Sequence, residues 1–144
     1  RFWSGLPRLR MLFYWYCLFP LVPRLLGYFP GRLGIGEDLP AEVMLDWAHG
    51  ARHRKYLLDL FPEHNHFSSF TGAFYDYSFS DDDFAPRAAV EELLTFYPNA
   101  RKTHKHVRPS DLSLTSIGHF GFFRDTHRDT LWKGAGDWLR TWSD

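Results

Sequence analysis

The sequence predicts a mixed α/β fold, and three observations carry that reading. Strand-like and helix-like segments alternate from residue 73 onward, as in sheets built of parallel strands. Apolar residues recur at helical spacing in several segments, each closed by Pro, Gly or a polar cluster. A chain of 144 residues can also bury a core of ordinary size.

Residues 1–66 read as helical and irregular, punctuated by Pro20, Pro23, Gly27, Pro30, Gly31, Gly34 and Gly36. Met11–Val22 is an apolar run that already contains Pro20. A membrane-spanning helix needs about 20 apolar residues, and Pro20, Pro23 and Arg24 are expected to break the run further. An interfacial or lid-like role is expected in its place, and a membrane is not among the expected partners. A helix is predicted after Asp38 and Pro40, with Met44, Trp47, Ala48 and Ala51 on its apolar side. Its other side carries Glu42, Asp46, His49, Arg52 and His53.

Residues 67–144 carry the alternation. Ala73–Phe79 is aromatic-rich and bounded by Gly72 and an acidic cluster, which predicts a strand. Pro86–Tyr97 is predicted to be a helix with Ala89, Val90, Leu93, Leu94 and Tyr97 as its apolar stripe, stopped by Pro98. Lys102–Val107 is a polar strand whose lysines suit an exposed edge. Residues 109–124 are expected to form a loop. A last helix is predicted from Asp129 to Trp142, with Leu131, Ala135, Trp138, Leu139 and Trp142 on one side. The order strand, helix, strand, helix implies parallel strands joined by right-handed crossovers. Two strands leave too little sheet for such helices to cover, so further strands are expected upstream of Arg1.

Charge excludes one class of partner. Lys plus Arg and Asp plus Glu number 17 each, so no nucleic-acid footprint is expected. The single cysteine, Cys17, rules out an internal disulfide and fits a reducing, cytoplasmic setting. Flanked by Tyr16, Leu18 and Phe19, it is expected to be a buried, inert thiol. Aromatic residues make up 19% of the chain and crowd its first thirty positions, where most are expected to pack and a few to face a substrate.

In open α/β sheets ligands sit beyond the carboxyl ends of the strands. Asp81, Asp82 and Asp83 follow the first predicted strand, and His119 lies in the loop after the second, so both groups reach one edge of the sheet. A carboxylate beside an imidazole fixes its tautomer, and the other ring nitrogen can then take and return a nucleophile's proton. By itself an acidic turn after a strand is ordinarily solvated. His64-x-His66 and His104-x-His106 have the spacing of two imidazoles on one strand face. No third ligand stands at motif spacing and lysines flank the second pair, so no metal is expected.

Phe79-Ser80-Asp81-Asp82-Asp83-Phe84-Ala85-Pro86 and Ile117-Gly118-His119-Phe120-Gly121-Phe122-Phe123 resemble the acid and histidine loops of the α/β-hydrolase superfamily. The nearest group is the bacterial predicted hydrolases related to serine aminopeptidases and monoglyceride lipases. Leu25-Leu26-Gly27-Tyr28-Phe29-Pro30-Gly31, with Gly34-Ile35-Gly36-Glu37-Asp38-Leu39-Pro40, resembles that group's lid. The resemblance implies the C-terminal portion of an α/β-hydrolase fold: a helical lid over residues 1–66, then the last two parallel strands and two helices over 67–144. It places the triad acid four residues before a proline, hence Asp82 before Pro86, with Asp81 and Asp83 as fallbacks, and the triad histidine at His119. The implied activity is hydrolysis of an ester, thioester or amide through an acyl-enzyme, on a small hydrophobic acyl substrate and without a cofactor. The family also carries Gly-x-Ser-x-Gly on a strand-to-helix turn. None of the nine serines here stands in that pattern, so the nucleophile is expected from a missing N-terminal half and the chain alone is expected to be inactive. The alternative is a non-enzymatic module whose aromatic half docks on a membrane surface or a partner protein.

Overall fold

The first helical segment starts at Gly5 and carries the apolar residues 11–22, seen here in a computed structural model that describes residues 2–33, 36–53, 55, 56, 58, 61, 63 and 66–141. The architecture is mixed α/β. It falls into two compact units, Trp3–Asn65 and His66–Asp144.

In the first unit, α1 (Gly5–Phe13) runs through a π turn (Tyr14–Leu18) into α2 (Phe19–Leu26) without a break. Pro20 and Pro23, read from the sequence as punctuation, therefore do not interrupt the helix. The wider π turn gives the Pro20 ring room that a regular α-helix lacks against the carbonyl one turn back. Gly27 ends α2, its amide donating to the Pro23 carbonyl at 2.9 Å. Tyr28–Phe29 (β1) and Leu39–Pro40 (β2) then form a two-residue antiparallel pair. Within that turn the Asp38 Oδ1 accepts the Gly31 amide at 2.7 Å. Asp38 thus closes the turn, and Pro40, not Asp38, is the residue from which α3 (Ala41–Arg52) starts.

Phe19 is the centre of this unit, 1% exposed and packed with Phe29, Met44 and Ala48. The Trp15 ring meets it edge-on at 4.9 Å and the Phe29 ring at 5.3 Å, while Trp47 stacks at 6.0 Å. Cys17 is exposed, contrary to expectation. The π turn carries it away from the Phe19 side, and an apolar sequence on all faces gives no signal of which face is covered.

In the second unit β3 (Ala73–Phe79) pairs in parallel with β4 (Arg101–Val107), from Ala73 opposite Arg101 to Phe79 opposite Val107. The crossover is α4 (Arg87–Leu94), which ends three residues before the predicted stop as Thr95–Tyr97 tighten into turns. Leu93 points to solvent at 45% exposure, so the stripe is narrower than its sequence spacing implies. The last helical segment opens with a π turn (Arg128–Trp132) before α5 (Lys133–Arg140). That shift in phase leaves Leu139 60% exposed, not on the covered side, while Trp138 stacks on Tyr75 at 5.3 Å. Phe79, Ile117 and Leu131 form the buried core. The 109–124 loop contains two short 3-10 turns, Pro109–Leu112 and Gly121–Phe123. Gly34, Ile35, His64 and Trp142 lie outside the described residues.

Candidate active site

Two loops leave the carboxyl ends of β3 and β4. The first is drawn tight at once: the Ser80 amide donates to the Val107 carbonyl at 3.0 Å, and the Asp82 amide to the Phe79 carbonyl at 3.2 Å. Asp82 is buried at 8% exposure, a cost a carboxylate bears only when its oxygens are satisfied. Its Oδ1 accepts the Phe84 and Ala85 amides, both at 2.9 Å. Its Oδ2 accepts from His119 Nδ1, also at 2.9 Å. Burial pushes the Asp82 carboxyl up, but the His119 hydrogen bond and the two amides outweigh it and hold the group below the ordinary carboxylate range.

An ionised Asp82 only accepts, so Nδ1 of His119 carries the proton and Nε2 of the neutral ring keeps its lone pair. Among the described residues Nε2 has no hydrogen-bond partner, and the side chain is 35% exposed. Phe84 and Phe120 flank the ring at 5.5 and 4.8 Å. The pair thus has the geometry of an imidazole base with an orienting carboxylate, set between aromatic side chains.

The neighbouring Asp81 does a different job. Its Oδ2 accepts the backbone amides of Ile117 and Gly118, at 2.8 and 3.1 Å, and so ties the acid loop to the histidine loop. Ile117, 3% exposed, anchors the same loop in the core. Gly118 stands at φ +67°, a conformation that costs a side-chain-bearing residue about 1 kcal/mol or more. Asp81→Ala is expected to cost about 1–2 kcal/mol of stability by denaturant unfolding and to speed hydrogen exchange at the Ile117 and Gly118 amides. Asp81→Asn, which keeps an acceptor, is expected to cost less. Asp83 is exposed. Of the three aspartates that the sequence leaves open, Asp82 is the one that reaches His119.

A pH dependence follows from Asp82. Its folded-state acidity is stronger than that of an unfolded carboxyl, so the ionised form stabilises the fold at all pH values above the ordinary range near 3.8. That contribution is lost as pH falls through the lower folded value. Thermal melts from neutral to strongly acid pH are expected to fall more steeply below this range for the parent chain than for Asp82→Asn.

A second set of Ser, His and Asp side chains covers one face of the sheet. Ser78 Oγ lies 2.8 Å from both His104 Nε2 and His106 Nδ1, and Asp76 Oδ2 lies 3.6 Å from His104 Nε2. A hydroxyl has one proton to give, so one nitrogen donates to Ser78 and the other accepts from it. Asp76 favours the proton on His104, which leaves His106 as the acceptor. Burial, then the positive charge of Arg87, lowers the His106 pKa and so favours the neutral ring. Desolvation raises that of Asp76, partly offset by His104. Here the serine and the carboxylate converge on the same imidazole nitrogen, and Ser78 is 2% exposed. A relay needs the two groups on opposite nitrogens. Ser78, His104 and His106 form a hydrogen-bonded sheet layer, while the buried Asp76 Oδ2 makes no hydrogen bond and stands only within ion-pair range of His104. Among the described residues no group of three or more His, Cys, Asp and Glu is placed to hold a metal ion.

Sequence reasoning missed the Asp81 tether and the Ser78 network. The signal for the second was available: Asp76 and Ser78 on one strand, and His104 and His106 on the next, share the alternation that puts i and i+2 on one face. The chain matches no protein-family model, no curated protein and no solved structure.

Proposed function

We propose that this chain supplies the acid and base of a serine hydrolase of the α/β-hydrolase type, as the C-terminal portion of that fold, with Asp82 as orienting acid and His119 as general base. The observation that carries the reading is the 2.9 Å contact between a buried, amide-bound carboxylate and Nδ1 of an imidazole whose Nε2 is unengaged. In the reaction Nε2 removes the proton of a serine hydroxyl as it attacks an ester, thioester or amide carbonyl. It then returns that proton to the leaving group, while Asp82 stabilises the imidazolium. Water repeats the cycle on the acyl-enzyme. Phe84 and Phe120 beside the imidazole favour an apolar acyl group. The serine comes from a Gly-x-Ser-x-Gly turn outside these 144 residues, since none occurs within them.

The test is to express the chain in frame with the coding sequence that precedes it and to treat the product with a fluorophosphonate probe. Labelling of a serine in Gly-x-Ser-x-Gly, abolished by His119→Ala, is the expected result. Labelling that survives His119→Ala, or an upstream reading frame without that motif, sinks the proposal.

A further inference from the structure

We infer that the outer face of the Gly5–Leu26 helix docks on an anionic lipid bilayer, lying in its interface. Leu6, Leu9, Phe13, Tyr16, Leu21 and Leu25 are all exposed, from 53% at Leu21 to 78% at Leu6. Their spacing is 3, 4, 3, 5 and 4 residues, and the five-residue step spans the π turn at Tyr14–Leu18. A π turn holds more residues than an α turn, so the long step keeps Leu21 in line with Tyr16. The six side chains form one stripe. Met11, Phe19 and Pro23 are buried on the opposite side of the same helix.

Charge identifies what covers the stripe. Residues 1–36 contain five arginines and no aspartate or glutamate; Arg8, Arg10 and Arg24 are exposed on the helix itself. Apolar side chains bordered by arginine, with Tyr16 among them, match the acyl and headgroup layers of an anionic surface. With Met11, Phe19 and Pro23 packed in the protein on its other side, the helix offers a single face and would lie along the surface. Only the first unit takes part, and the inference stands whether or not the chain serves a hydrolase.

The experiment is flotation of the 144-residue chain with vesicles of phosphatidylcholine alone, or with about 30% phosphatidylserine. Flotation separates bound protein from aggregate, which sinks. The chain is expected to float with the anionic vesicles and to be released by about 0.5 M salt. Arg8→Glu with Arg24→Glu is expected to weaken partition more than about tenfold. Leu9→Glu with Leu21→Glu, at positions too exposed to disturb folding, is expected to do the same. A polarity-sensitive dye on Cys17, the single cysteine and exposed, is expected to shift to the blue on binding. No flotation with anionic vesicles, or flotation that neither double variant reduces, overturns the inference. So does concentration-dependent dimerisation abolished by Leu9→Glu without flotation, which would assign the face to a second copy of the chain.

Discussion

If the chain serves the proposed hydrolase, His119→Ala is expected to lower hydrolytic turnover by at least about 10⁴-fold in the polypeptide that joins it to a nucleophile serine. The reason is chemical: without the imidazole, the serine proton has no acceptor and the leaving group no donor. Asp82→Asn is expected to cost a similar factor, because an amide cannot enforce the Nδ1–H tautomer and cannot offset an imidazolium. Asp81→Asn touches only the tie to the Ile117 and Gly118 amides, so its loss is expected to stay within about tenfold. The readout is kcat on a p-nitrophenyl ester, with circular dichroism to verify folding. Turnover of His119→Ala within tenfold of the parent would remove His119 from the chemistry.

The second large effect is on stability. Phe19→Ala is expected to cost about 3–5 kcal/mol, the range for emptying a fully buried aromatic site. The upper half of the range applies, because Phe19 meets Tyr14, Trp15, Phe29 and Trp47 at ring distances between 4.9 and 6.0 Å. Such pairs add about 0.5–1.5 kcal/mol beyond their buried area. Trp15 and Trp47 flank the site, so near-ultraviolet circular dichroism and tryptophan fluorescence report its loss. A cost below about 1 kcal/mol would mean that these rings do not form one packed cluster.

The second unit was the more legible in the sequence, for physical reasons. Gly72 and the acidic turn bound Ala73–Phe79 on both sides, so the strand has local punctuation. Alternation with a helix then dictates parallel pairing, which is what β3 and β4 adopt. The first unit hid its details because residues 11–22 are apolar on every face. No periodic contrast marks the covered side, and Pro20 and Pro23, which ordinarily interrupt a helix, follow a π turn. Which aspartate meets His119 depends on how the turn after Phe79 closes, a tertiary matter. Adjacent carboxylates leave opposite sides of the backbone and find different partners. Leu93 and Leu139 failed as core positions because spacing gives a direction, not the presence of a neighbour there.

The path by which Asp82 and His119 meet has a kinetic consequence. Asp82 and His119 are 37 positions apart, joined by a helix and a strand that must cross over before the two loops touch. Closing a segment of that length costs about 3 kcal/mol of chain entropy, recovered only when the sheet and the Phe79, Ile117 and Leu131 contacts form. No local hairpin can bring the pair together early. The hydrogen bond from His119 to Asp82 is therefore expected to form no earlier than the pairing of β3 with β4.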